Sequence, residues 1–167
     1  MKLSQFDNLP DDSRLWVYGF DRTLDPEVRA QMATDLEAFV DSWTSHEEPV
    51  TGAAAIVEDR FVMLAGHCDA GIGGCSIDGS VAVIRSFADK HGLDGFDRDL
   101  VFYRGDDDTV ESATRAEFRK GVEEGKFGNC TLVFDLTLTT LGELRKDRFE
   151  TTFKSSWHSR EFSGSEA

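Results

Sequence analysis

The sequence predicts an α+β fold. A ferredoxin-like β-α-β-β-α-β core is expected over about residues 12–105, a C-terminal α/β extension over about 106–162, and a frayed tail at 163–167. Three observations predict it. An apolar run at 14–20 leads into a stretch of helical periodicity; two apolar strands then meet at a charged bend; a second helical stretch leads into "LVFYR". With 167 residues, 40% of them hydrophobic and 13 of them phenylalanine, the chain can bury one substantial core and is read as a single domain.

Taken in order, "RLWVYGF" (14–20) is apolar on both faces, which predicts a central strand. "LDPEVRAQMATDLEAFVDSW" predicts a helix with Asp25 as its cap and Pro26 at its first position. Val28, Met32, Leu36, Phe39, Val40 and Trp43 form its apolar stripe. "TGAAAIVEDRFVMLAG" predicts two strands joined near residues 58–60. "SIDGSVAVIRSFADKHG" carries Ile77, Val81, Ile84 and Ala88 at helical spacing and stops at His91–Gly92. In the extension, Thr114 and Glu117 stand at capping-box spacing and Gly125 ends that helix. "CTLVFDLTL" (130–138) and "RFETTF" (148–153) are strand-like, with Cys68 and Cys130 expected as small core residues on strands.

Charge narrows the class of partner. Thirty-two acidic residues face 18 basic ones, a formal net charge of -14, and the acids are dispersed rather than gathered in a tail. Such a surface repels itself at low salt and is screened at high salt, the pattern of a halophile's cytosolic protein. Nucleic acid is disfavoured as a partner because no basic stripe is available to displace counterions. No apolar run is long enough for a membrane span, and no apolar leader segment opens the sequence. The three cysteines include no CxxC pair, so a cytoplasmic protein without a disulfide framework is expected. It is expected as a monomer or homodimer, with neither metal nor cofactor.

The densest chemistry lies in "HCDAGIGGCSIDGS" (67–80). His67, Cys68 and Cys75 lack the paired spacing of zinc ligands. Gly71, Gly73 and Gly74 let backbone amides turn toward an anion at a helix start, although Asp78 would oppose one. The plainer reading makes Ser76 the helix cap, Asp78 a complement to the helix dipole, and the glycines a permissive turn. A third reading makes Cys75 a nucleophile near the helix's positive end, with His158 or His67 as its base. His46 and His91 fall at expected helix C-termini, where a cationic ring needs no further role. "SSWHSR" adds a polar-aromatic cluster in which Trp157 should anchor the tail.

The stretches "LWVYGFDRTLDPEV", "GCSIDGSV" (74–81) and "SSWHSR" (155–160) resemble a family of small bacterial proteins of no established activity, over about residues 5–162. Its members often carry the label "ABC transporter ATPase". That label implies a phosphate loop, and "GIGGCSIDGS" lacks the lysine and Ser/Thr pair of GxxxxGK[ST].

Three function classes follow. The leading one is a non-catalytic binding or regulatory module holding a small anionic ligand or a partner chain. Its ligand residues would be Gly73, Gly74, Ser76, Asp78, Trp157 and Arg160. The second is a thiol enzyme for acyl or phosphoryl transfer, with Cys75 and His158 as catalytic pair and the amides after Gly73 as oxyanion donors. The third is an interaction subunit using an exposed sheet face or edge.

Overall fold

A computed structural model describes residues 1 and 3–164, except that the Cys75 side chain lies outside the description. The chain is α+β, built on two antiparallel sheets stacked face to face with helices outside each. The first sheet comprises β1 (Arg14–Gly19), β4 (Thr51–Val57) and β5 (Phe61–His67) in the order β1-β5-β4. Between β1 and β4 run α1 (Pro26–Asp41) and a small hairpin of β2 (Thr44–Ser45) and β3 (Glu48–Pro49). After β5 comes α2 (Gly74–His91). The second sheet joins β6 (Leu100–Arg104), β7 (Val110–Thr114), β8 (Leu132–Phe134) and β9 (Glu150–Thr152) in the order β7-β6-β8-β9. α3 (Arg115–Glu123) and α5 (Trp157–Phe162) cover its outer face, while α4 (Leu141–Arg145) adds Leu141 and Leu144 to the core between the sheets.

Alternation along each strand explains the layers. On β5, Phe61, Met63 and Ala65 point to the space between the sheets, while Val62 and Leu64 point to α1 and α2. On the facing sheet, Phe102, Val110 and Phe134 fill the same space, and Val101, Tyr103 and Val133 face Phe118, Phe153 and Phe162. Phe61 stands at the centre. Its ring lies 5.2, 5.0 and 5.1 Å from those of Phe102, Phe134 and Phe149. These offset and edge-on contacts add to the area that the rings bury.

The ferredoxin-like closure is not made. The β-α-β-β-α order is present, but the next strand, β6, pairs with β7 and β8 instead of joining β1. β1 is therefore an edge strand and not the central one expected. It is apolar on both faces because a helix layer covers one and a second sheet the other. Its free edge meets the extension: the Leu15 amide donates to Thr139 at 2.9 Å, and Arg14 bridges Thr140.

A buried cation ties the two sheets. The Arg60 guanidinium donates to the carbonyls of Phe20 (2.9 Å), Val110 (2.9 Å) and Asp21 (3.0 Å) and to Ser112 Oγ (2.6 Å). Burial pulls its pKa down, while Asp21 and Glu111 push back. Glu58 and Asp59, both at positive φ, make the bend before it.

Several local expectations need correction. Cys130 is exposed in the turn before β8 and Cys68 follows the last residue of β5, so neither sits in a strand. His46 does not end a helix: α1 stops at Asp41, and His46 and Glu47 form the positive-φ turn of the β2–β3 hairpin. Trp43 lies beyond α1, where Gly52 and Gly66 leave room for its ring; a Cβ at either would come within 2.8 Å of it. Asp25 occupies the cap position of α1 without a side-chain hydrogen bond to the helix. The Thr114–Glu117 capping box and the Gly92 stop are both formed. Of the expected frayed tail, residues 165–167 lie outside the description. Among the described residues, no helix is long and apolar enough to cross a membrane.

Candidate functional site

The glycine-rich loop and the tail are placed on different layers. The loop starts α2, which packs on the outer face of the first sheet. The tail forms α5, with Phe162 in the outer core of the second sheet.

In the loop, α2 begins at Gly74 with Gly73 in the cap position, three residues earlier than a Ser76 cap requires. Ser76 Oγ instead donates to the Thr44 carbonyl at 2.5 Å, and the Trp43 indole donates to the Ser76 carbonyl at 3.3 Å. Asp78 is exposed and beyond the first turn. Two of the loop amides read as an anion cradle have partners within the fold. Gly71 donates to the Cys68 carbonyl at 2.8 Å, and Gly73 donates to Ser45 Oγ at 3.0 Å. A Cβ on Gly73 would lie 2.8 Å from His46 Nε2, so this glycine serves a close approach. His67 closes β5 half-buried, with Nε2 3.4 Å from Asp69 and Nδ1 3.8 Å from Asp12. Among the described residues, no group of three or more His, Cys, Asp or Glu could hold a metal.

The tail borders a cavity of about 470 Å³, and the path of β8 explains it. β6 and β8 pair only at Tyr103 and Val133; beyond Phe134 the chain leaves the sheet and crosses to the edge of β1. The wedge left between them is lined by Val17, Tyr18 and Gly19 of β1, residues 95–98, Leu100 and Phe102. Arg115, Phe134, Leu136, Thr137, Trp157 and His158 complete it.

Its polar groups are held firmly. Asp135 Oδ1 accepts from the Thr137 amide (2.8 Å), from Thr137 Oγ1 (2.6 Å) and from the Trp157 indole N–H (3.0 Å). An Asx turn thus fixes where the chain departs from β8 and also locks Trp157. Ser156 caps α5, its Oγ accepting from the His158 amide and lying 2.6 Å from His158 Nδ1. The His158 ring stacks on Trp157 with 3.9 Å between centroids and is only 2% exposed. Burial drives its pKa down to about 4, with Arg115 adding to the fall and Asp135 opposing it. The ring is neutral at pH 7. With Ser156 on Nδ1, no hydrogen bond to Nε2 is formed among the described residues. Arg115 pairs with Glu161 at 2.6 Å and covers the Trp157 ring at 5.9 Å. Arg98 is exposed at the cavity and forms no ion pair among the described residues.

Of the residues singled out from sequence, Trp157 and His158 border this cavity. Gly73, Gly74, Ser76, Asp78 and the backbone of Cys75 belong to the loop, and Arg160 is exposed outside the cavity lining. Sequence reasoning missed Asp135, Arg115 and Arg98. The D-x-T turn at 135–137 was the one available signal, and its pairing with Trp157 spans 22 residues. Compared with known protein families, with curated proteins and with solved structures, the chain matches none.

Proposed function

We propose that the chain is a non-catalytic binding module for a small organic anion with a planar apolar body, held in the wedge between β1, β6 and α5. The observation that carries this is the state of His158. It is a neutral ring fixed by Ser156 on one nitrogen, with the other uncommitted beside a wall of Trp157, Phe96, Phe102 and Phe134. If Ser156 Oγ donates to Nδ1, the Nε2 proton is available to a carboxylate, and Arg98 and Arg115 supply positive charge at the rim. A cavity of about 470 Å³ is within the range of small-ligand sites. Binding is favoured over catalysis because a histidine with a pKa of about 4 is a weak base at neutral pH.

Titration calorimetry with benzoate tests the reading. The expected dissociation constant is on the order of 1 mM, as suits a ligand of so few atoms. Benzamide, of the same shape without the charge, should bind several-fold more weakly. His158→Phe keeps the bulk and should weaken benzoate about tenfold, which corresponds to about 1.4 kcal/mol. Benzoate binding unaffected by that substitution, or absent altogether, refutes the proposal.

A further inference from the structure

The first sheet has two edges: β1 is met by the extension at Arg14 and Leu15, whereas β4 has no strand beside it among the described residues. The outer side of β4 faces a groove of about 490 Å³ lined by the consecutive residues Gly52 to Ile56, by Arg29, Ala33, Leu36, Glu37 and Val40 of α1, and by Gln5 of the N-terminal segment. Consecutive strand residues line a groove where the backbone edge is exposed, because a sheet face would show only alternate ones. Unpaired N–H and C=O groups of such an edge are met best by another extended strand. Within the strand the usual guards are missing: residues 51–57 contain no lysine or proline, and the register with β5 runs unbroken from Thr51 to Val57, although the Ser4–Phe6 turn packs against part of it.

We infer that the partner is β4 of a second copy of this chain, paired antiparallel about a two-fold axis at Ala54. The join would extend the first sheet to six strands across two subunits. Small side chains at Gly52, Ala53, Ala54 and Ala55 keep the approach low.

The helix beside the edge has the matching symmetry. α1 runs antiparallel to β4: Arg29 at its start reaches Asp59 just past β4, while Trp43 beyond its end accepts from the Val50 amide just before β4. Along the groove, Arg29, Ala33 and Glu37 recur at four-residue spacing and all three are exposed. A two-fold axis beside Ala33 sets the arginine of each copy against the glutamate of the other, with the smallest residue at the crossing. A surface with Arg29, shared with Asp59, at one end, a small centre and Glu37 at the other is complementary to itself in this orientation.

Sedimentation equilibrium of the full chain at moderate salt tests this independently of any ligand. A dimer of twice 18.6 kDa should build up with concentration. Arg29→Glu and Glu37→Arg should each weaken it at least about tenfold by opposing like charges. The double variant should restore it, while circular dichroism confirms that all three variants are folded. Exchange of those amides among residues 52–56 that point away from β5 should slow as the dimer forms. A monomer at every concentration overturns the inference. So does a dimer indifferent to the single charge reversals, or one that both singles weaken and the double fails to recover.

Discussion

The start of α2 and the start of α5 make an instructive pair. Each is a helix N-terminus preceded by polar and small residues, and each drew a functional reading from the sequence. The α2 start has the richer composition, with glycines, histidine and cysteine in one run. Yet three of its polar groups are used inside the fold: the Gly73 amide by Ser45, the Ser76 hydroxyl by Thr44, and the Gly71 amide by Cys68. The α5 start is one short helix, but its histidine lines a cavity and makes no hydrogen bond through Nε2 among the described residues. What separates a turn from a binding site is the hydrogen-bonding capacity left over after folding.

The sharpest way to break this comparison is at Trp43, which anchors the α2 side through Ser76, Gly52 and Gly66. Trp43→Ala should cost about 4 kcal/mol, measured by denaturant unfolding. If the two regions are as separate as their layers, benzoate affinity at the wedge should not change.

An acid titration sharpens it next. His158 has a folded-state pKa near 4 against 6.5 when unfolded, so between those values the unfolded chain binds the extra proton. Stability from this ring is complete above pH 6.5 and is lost as pH falls toward 4. The loss amounts to at most about 3 kcal/mol for a shift from 6.5 to about 4. The difference in unfolding free energy between the native chain and His158→Gln, followed through this window, isolates it from the titrating carboxylates. A difference that stays flat with pH would mean the ring is not desolvated.

The smallest effect is expected at Asp135. Asp135→Asn removes the charge that receives Thr137 and Trp157 and should cost about 1 kcal/mol of stability. It should also lower the His158 pKa further, since the carboxylate is the neighbour that raises it. The proton resonances of the imidazole, followed from neutral to acid pH, would show the direction.

The elements were far more legible in the sequence than their assembly. The α1 start, the α3 capping box and the β4–β5 bend follow from chemistry within a few residues, and they stand where the pattern puts them. The pairing of β6 depends on β7 and β8, and no local signal distinguishes this from closure against β1. The apolar faces of β1 report what covers it above and below and are silent about its edges. For the site, "SSWHSR" was a readable pointer to Trp157 and His158. Asp135 was not, because its role exists only after α5 docks beside the end of β8. The loop misled because residue types describe potential, whereas Ser45, His46 and Trp43 decide what is used.

Arg60 carries a consequence for the newborn chain. Its guanidinium belongs to the β4–β5 hairpin, but two of its acceptors, at Val110 and Ser112, lie 50 and 52 residues later. At about 5–20 residues per second, the ribosome needs roughly 3–10 s to supply them. Until then the guanidinium's bonds to Phe20 and Asp21 leave its other donors to water, and the face of β5 that carries Phe61 has no opposing sheet. The first half of the polypeptide therefore waits for the second, and a truncated product ending before residue 110 should be a substrate for chaperones.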